Sequence, residues 1–317
     1  MPFASTCAHV LSQTAVMATT DPHTAAEPLI IEAAINGATP KRRNPHVPRS
    51  TAEVAADGIA CFNAGASIVH NHTEDDVLGG PTRHATEPYL ESWSEILASR
   101  PDALLYPTMP GGGSGLPIAD RYAHISDLHQ SGMLGLAVAD PGSVNLTGMR
   151  ADHTVSPNAF PYVNSPADID WMFRWCRENN IPVHVSIFEP GFLRLVLGHL
   201  EAGTLPEKVK LQFYFSGPSM LFGLPAAGWA LEAYLRLLGD APLCWMVGVV
   251  GGDVVESGLA RLAIEAGGHV RVGLEDFAGP RHPANAELVA AVVELAATSG
   301  RPVATCEQTR ARLERLR

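Results

Sequence analysis

Two histidines separated by one residue, His70 and His72, are the sharpest chemical signal in the sequence. They end the run Ala66–His72, whose apolar and β-branched residues predict a buried strand. Side chains two residues apart on a strand point to the same face, so both imidazoles can reach one ligand. Neutral imidazole is the commonest metal ligand, but a pair of hydrogen-bonded core histidines explains this spacing equally well.

Two carboxylates strengthen the metal interpretation. Glu275 and Asp276 follow a predicted strand over residues 269–273, and strand alternation carries Arg271, Gly273 and Glu275 on one face. Two histidines and one carboxylate leave coordination positions open on a divalent ion, which is typical of a catalytic site rather than a structural one. We therefore predict a metal site with zinc as the expected ion, other divalent transition metals being possible, on His70, His72 and Glu275.

The elements that position these residues alternate along the chain. Strands are predicted over residues 29–35, 66–72, 103–108, 134–139, 183–188, 209–215, 244–250 and 269–273. Helices are predicted over residues 50–64 and near 85–99, 118–131, 166–179, 190–202, 225–239, 254–266 and 284–298. Eight strands separated by helices predict a single (β/α)8 TIM barrel of the α/β class, whose sites form at the carboxyl ends of the strands. An open doubly wound sheet would favour a Gly-x-Gly-x-x-Gly turn after an early strand, and the sequence has none.

The composition narrows the function mainly by exclusion. A net charge of −11 argues against nucleic-acid and membrane partners, and no apolar run approaches the roughly 20 residues of a membrane span. Five scattered cysteines without CxxC spacing predict a reducing, cytoplasmic location. We predict a catalytic domain over residues 27–317 and a poorly ordered extension over residues 1–26, which lacks the basic and apolar regions of a signal peptide.

Other predicted strand ends carry polar groups. Thr108 follows the third strand beside the glycine-rich segment 111–115, whose backbone N–H groups could approach a carboxylate or phosphate. Ser143 and Asn145 follow the fourth strand as hydrogen-bond donors. Glu189 follows the fifth strand, where it could equally favour the start of the next helix.

Several segments, taken together in their order along the chain, resemble those of the β-keto acid cleavage enzyme family. The resemblance covers about residues 28–308 and rests on the segments Ala34–Ala38, Asn44–Pro48, Ala64–His72, Phe188–Gly191, Gly268–Asp276 and Arg301–Gln308. No segment alone is specific, but the ordered set is.

The resemblance implies a TIM barrel that holds zinc on the three residues named above. It implies that Asp276 is the catalytic acid/base, that Arg271 supports and orients the substrate carboxylate, and that Thr108 assists catalysis. The residues implied to bind the substrate are Asn36, Ser143, Asn145 and Glu189. The implied reaction converts a β-keto acid and acetyl-CoA into acetoacetate and a new acyl-CoA, in a homotetramer.

Three loops depart from the family pattern. Thr39–Lys41 replaces the acidic first loop of members that act on amino-substituted keto acids, which argues against a cationic amino substrate. Gly248–Asp253 lacks the usual Gly-Arg after strand seven, near the CoA entrance, and Ser216–Gly223 lacks the Gly-Gly pattern of the strand-six loop. Because of these departures, the sequence supports CoA as the acceptor less strongly than it supports the metal.

The residues also leave other functions open. A class II aldolase-like enzyme, or another metal-dependent C–C lyase without CoA, needs only a metal-stabilised enolate. A non-catalytic metal-binding barrel and a barrel with purely structural histidines are further alternatives. An amidohydrolase-type hydrolase would need a lysine in the fourth strand and a histidine in the sixth, but residues 134–139 contain no lysine and residues 209–215 contain no histidine.

Overall fold

The structure is a computed structural model and describes residues 27–73, 84–110, 115–157 and 160–315. The strands are β1 (Ile31–Ala34), β2 (Ile68–Asn71), β3 (Leu104–Pro107), β4 (Ala137–Ala139), β5 (Val144–Leu146), β6 (Phe160–Tyr162), β7 (Val183–Ile187), β8 (Val209–Ser216), β9 (Leu224–Pro225), β10 (Cys244–Val250) and β11 (His269–Val272). The helices are α1 (Thr51–Ala64), α2 (Glu87–Ser99), α3 (Ile118–Arg121), α4 (Ala123–Gln130), α5 (Pro166–Glu178), α6 (Pro190–Glu201), α7 (Gly228–Leu238), α8 (Leu259–Glu265), α9 (Asn285–Thr298) and α10 (Cys306–Glu314). Residues 1–26 lie outside this description, so the extension there stays a prediction.

Eight parallel strands in the described residues form one curved sheet, in the order β3-β2-β1-β11-β10-β8-β7-β4. The two end strands approach each other where the amide of Gly135 donates to the carbonyl of Leu105 over 2.8 Å. This contact lies just before β4, so the barrel is nearly closed. The predicted TIM-barrel class is confirmed, and all eight predicted strands are present with ends shifted by a few residues.

Local capping chemistry explains where the helices begin. Ser50 and Glu53 form a reciprocal capping box at the start of α1, as the sequence predicts, and Gly65 ends that helix with a positive φ of 114°. The predicted helix at 254–266 begins only at Leu259. The side chain of Asp253 accepts the amides of Val255 and Glu256 and holds those residues in a turn instead.

Some elements are not predicted by the sequence. An antiparallel hairpin of β5 and β6 follows β4, and β9 adds two residues beside β8. The predicted helix at 118–131 is divided at Tyr122 into α3 and α4, and α10 begins at the capping box of Thr305 and Gln308. Within the described ranges, no helix has both the length and the apolar character to cross a bilayer.

Candidate active site

The two histidines and Glu275 meet at the carboxyl end of the barrel. His70 lies in β2, His72 follows that strand, and Glu275 lies three residues beyond β11. His70 Nε2 is 3.2 Å from Glu275 Oε2, and His72 Nε2 is 3.5 Å from Glu275 Oε1. One ligand atom from each of the three residues lies within 4.8 Å of the others, with both histidines buried. The spacing is small enough for all three to contact one ion.

The hydrogen bonds of His70 explain why a cation fits here. Burial lowers the pKa of His70, so its ring is neutral and carries one proton. The Nδ1 atom faces the carbonyl of Tyr106 at 3.2 Å, so the proton is assigned there and Nε2 presents a lone pair. That lone pair faces Glu275 Oε2, which accepts no hydrogen bond from the described residues. Two opposed acceptors fit a shared metal ion, with the carbonyl orienting the imidazole from behind.

Asn36 holds His72 in place. Its amide nitrogen donates to the carbonyls of His72 and Pro48 over 2.9 and 3.2 Å. Its oxygen accepts the amides of Gly37 and His72 at 2.8 Å each. All four hydrogen-bonding positions of this buried amide are therefore used on the backbone. The structure gives Asn36 a positioning role, and the predicted contact of Asn36 with substrate is untested.

Glycine allows Glu275 to approach the first strand. A Cβ atom on Gly37 would lie 2.3 Å from Cγ of Glu275. Gly273, with a φ of 138°, turns the chain after β11. A Cβ atom added at this position would lie only 2.0 Å from the carbonyl oxygen of Ala34. The amide of Glu275 then donates to that carbonyl over 3.1 Å. The carboxylate is thus fixed by a turn that side chains would obstruct.

Arg271 connects both carboxylates. Its Nε and Nη2 donate to Asp276 over 2.8 and 3.3 Å, and Nη2 also lies 3.1 Å from Glu275 Oε1. Its Nη1 donates to Glu32 over 3.1 Å and to the Tyr106 hydroxyl over 3.0 Å. The guanidinium is almost fully buried and is occupied by protein groups. It therefore orients Asp276 and Glu275 directly.

The two neighbouring carboxyls differ in their electrostatics. Burial alone would raise the pKa of Glu275, but the guanidinium of Arg271 outweighs it and holds that pKa well below its usual range. Burial raises the pKa of Asp276, and the guanidinium of Arg271 only partly opposes this. The two environments move the pKa values of these carboxyls in opposite directions. Glu275 therefore suits the role of an ionised ligand, and Asp276 suits that of a group that can take up a proton.

A buried ionic cluster lies beneath this site, and the sequence analysis missed it. Lys210 in β8 contacts Glu32 in β1 and donates to Nδ1 of His184 in β7 over 2.8 Å. Tyr106 also donates its hydroxyl to Glu32. Burial and the ammonium of Lys210 lower the pKa of His184 to about 3, so this histidine is neutral. The sequence does carry a sign of this cluster, because Glu32 and Lys210 are charged residues inside predicted buried strands and such residues need a partner.

A pocket of about 500 Å³ opens above these groups. It is lined by the three possible metal ligands, by Arg271 and by Thr108, so the structure brings together these predicted residues. Asp276 instead borders an outer pocket of about 970 Å³ together with His72, Glu275, Thr39 and Arg43. The two pockets share His72 and Glu275, which places Asp276 beside the mouth of the site.

Three other predicted site residues do not line either pocket. Ser143 is exposed, and its hydroxyl exchanges hydrogen bonds of 3.0 Å with the backbone of Asn164. Asn145 is exposed on β5. Glu189 accepts the amide of Gly223 over 2.9 Å and so holds the loop after β8. Their predicted roles in substrate binding are untested, and residues 111–114 of the glycine-rich segment lie outside the described ranges.

Comparison with known proteins supplies an independent observation. Residues 28–314 match the family described as beta-keto acid cleavage enzyme. The 3-keto-5-aminohexanoate cleavage enzyme of Fusobacterium nucleatum is 29% identical over 290 residues, covering 90% of this chain and 97% of that protein. The 3-oxoadipate:acetyl-CoA acetyltransferase of Cupriavidus necator is 30% identical over 303 residues, covering 90% and 95%. The apo structure of ObcA shares the fold with a TM-score of 0.64 at 17% identity; the match covers 85% of this chain and 65%, slightly under two thirds, of ObcA.

Proposed function

The chain belongs to the beta-keto acid cleavage enzyme family, and we propose that it uses a divalent metal to condense a β-keto acid with acetyl-CoA, releasing acetoacetate and a new acyl-CoA. The metal part of this proposal rests on two acceptor atoms that face each other, Nε2 of His70 and Oε2 of Glu275, which are 3.2 Å apart. The names of the curated relatives support the two substrates.

The metal would be held by His70, His72 and Glu275, with zinc as the expected ion. When bound, such an ion polarises the keto group and stabilises negative charge on its oxygen. The carbonyl of Tyr106 orients the imidazole of His70, and Asn36 fixes the backbone that carries His72. Arg271 places positive charge at the pocket wall, which favours the substrate carboxylate even though its N–H groups contact protein carboxylates.

The reaction exchanges one acyl group for another. Two bonds break, the C2–C3 bond of the keto acid and the bond between sulfur and the acetyl carbonyl carbon of acetyl-CoA. Two bonds form, one between C2 and that acetyl carbonyl carbon and one between C3 and the CoA sulfur, so every atom is retained. One proton leaves carbon and one returns. We assign that proton to the carboxylate of Asp276, because Arg271 fixes its orientation and burial raises its pKa towards proton uptake. Thr108, which lines the inner pocket, is proposed to hydrogen-bond the reacting group.

The outer pocket supports a restriction on the substrate side chain. Thr39 and Arg43 line it, and no acidic residue of the first loop does. The two acidic groups that line it, Glu275 and Asp276, are paired with Arg271, so a neutral or anionic side chain on the keto acid suits this lining better than a cationic one. We further propose a cytoplasmic homotetramer; the buried, unpaired Cys61, Cys176, Cys244 and Cys306 are compatible with a reducing compartment.

A panel of β-keto acids incubated with acetyl-CoA and metal-loaded protein tests this function. We expect acetoacetate and a matching acyl-CoA in equal amounts for at least one neutral or anionic substrate, and we expect Asp276→Asn to abolish both. Cleavage of a keto acid without consumption of acetyl-CoA would support the aldolase-like alternative, for which the altered Gly248–Asp253 segment gives a reason. If Asp276→Asn leaves turnover unchanged, its acid/base assignment fails.

A further inference from the structure

A third carboxyl group, Asp140, lines the inner pocket together with the proposed metal ligands. It follows β4, is only 7% exposed and lines the same pocket as His70 and Glu275. Tyr162 in β6 donates its hydroxyl to Asp140 Oδ2. The other oxygen, Oδ1, is buried and accepts no hydrogen bond of normal geometry from the described residues, although the hydroxyl of Ser186 lies close enough to act on this carboxyl. A buried polar atom without a partner is costly, so its position at a ligand cavity indicates a partner that binds there.

The surroundings of Asp140 differ from those of Glu275. Val138, Met109 and Leu146 contribute apolar surface to this part of the pocket. Burial raises the pKa of the Asp140 carboxyl, and the hydroxyls of Ser186 and Tyr162 oppose that rise. A carboxyl in such an environment can remain protonated and donate a hydrogen bond.

The charged and titratable groups around Asp140 come from four elements. Arg121 in α3 favours its ionised form, while Tyr162 in β6 donates to it. The neutral imidazoles of His70 in β2 and His184 in β7 line the same pocket. Tyr122, between α3 and α4, is fully buried and keeps its proton because burial raises its pKa. Arg121 is committed elsewhere, since its guanidinium donates to the carbonyl of Pro110 and to the side chain of Asn164.

We propose that Asp140 contacts the substrate: Tyr162 holds Oδ2, and Oδ1 carries a proton that it donates to an oxygen of the bound β-keto acid. The proposal rests on the proposed function, because the ketone and carboxylate of a β-keto acid offer only acceptors. The proton must then come from the protein. Asp140 would bind the part of the substrate that lies beside β4, and Arg271 and the metal ligands would hold the rest of it.

Binding of acetoacetate to metal-saturated protein, measured by calorimetry, tests this contact. We expect Asp140→Ala to weaken binding at least about tenfold, the usual effect of losing one hydrogen bond to a charged ligand. We expect Asp140→Asn to stay within about threefold of the unchanged protein, because its amide can donate from nearly the same place. Asp170→Asn, at an exposed helix position paired with Arg174, is the matched control and should bind normally.

Two results would overturn the proposal. Unchanged binding in Asp140→Ala would remove the contact, and an equal loss in Asp140→Asn and Asp140→Ala would show that the group does not act as a donor. Metal content and the unfolding transition of each variant are measured in parallel, so that misfolding is recognised. Because binding of acetoacetate needs no acetyl-CoA, a failure here is distinguishable from a failure of the proposed reaction.

Discussion

Two clusters of histidine and carboxylate lie one above the other in this barrel, and they differ in how the charge of the buried carboxylate is compensated. The rim cluster consists of His70, His72 and Glu275, and the interior cluster consists of Glu32, His184 and Lys210. In the interior cluster the ammonium of Lys210 lies between the carboxylate and the neutral imidazole. In the rim cluster an imidazole lone pair faces a carboxylate oxygen with no protein cation between them.

This difference shows which cluster is complete. Buried carboxylates need a compensating cation, and the interior cluster provides one from its own chain. In the rim cluster the charge of Glu275 is compensated only in part, by the guanidinium of Arg271. That guanidinium is shared, because it also contacts Glu32 in the interior cluster. The rim therefore fits an added metal ion, whereas the interior has no place for one.

The largest effect is expected from removing the imidazoles of the rim. A His70→Ala/His72→Ala variant should lose its metal and at least about a thousandfold of any turnover, because a single carboxylate rarely holds such an ion. Elemental analysis of the purified variant checks the metal, with about one ion per chain expected in the unchanged protein. A His184→Asn variant, altered in the interior cluster, is the control and should keep its metal. Full retention in the double variant would contradict the rim assignment.

The next largest effect concerns the interior cation. Lys210→Met should lower the free energy of unfolding by about 3–5 kcal/mol, because Glu32 would lose its main partner in a buried place. Urea unfolding at fixed metal concentration measures this change. Lys41→Met is the matched control, since this exposed lysine pairs with Glu53 at the surface and should cost less than about 1 kcal/mol.

A double variant sharpens the same point. Adding Glu32→Gln to Lys210→Met removes the uncompensated charge and should recover part of the lost stability. If Lys210→Met is as stable as the Lys41→Met control, the interior cluster does not depend on its cation, and the contrast with the rim fails.

A carboxylate outside both clusters gives a smaller, pH-dependent effect. Asp57 in α1 is held by the amide of Asn285 at 2.6 Å, and burial raises its pKa from 3.8 to about 6. A raised carboxyl pKa adds stability below pH 3.8 that is lost as the pH rises through 6. The stability of Asp57→Asn relative to the unchanged protein should therefore increase by up to about 3 kcal/mol between pH 4 and 7. Denaturant unfolding at several pH values checks this, and a pH-independent difference would show that burial does not perturb Asp57.

The smallest effects separate two hydroxyls near the rim. Thr108→Val should lower kcat/KM about fivefold to tenfold, because Thr108 lines the inner pocket. Ser143→Ala should change it less than about twofold, because Ser143 is exposed and bonded to the backbone of Asn164. Steady-state kinetics of both variants give the comparison. The reverse order would favour the substrate-binding role that the family resemblance implies for Ser143.

Much of the fold follows from local patterns. Period-two strands, helix caps such as Ser50 and alternating elements predict the barrel, and the parallel order then brings all strand ends to one rim. The hairpin of β5 and β6 was missed because its strands have three residues each and lack a clear alternation.

The sequence by itself determined which residues reach the rim: His70, His72 and Glu275 stand at or just after strand ends. Only the tertiary structure decided what each polar group contacts. Glu32 and Arg271 are register partners on β1 and β11 and form a hydrogen bond although they lie 239 positions apart in the sequence. The side-chain amide of Asn36 bonds to the backbone of His72 and does not face the pocket. Strand periodicity is a local property that a sequence displays. Hydrogen-bond partners between distant strands depend on register and on which donors remain unsatisfied, and both are properties of the closed barrel.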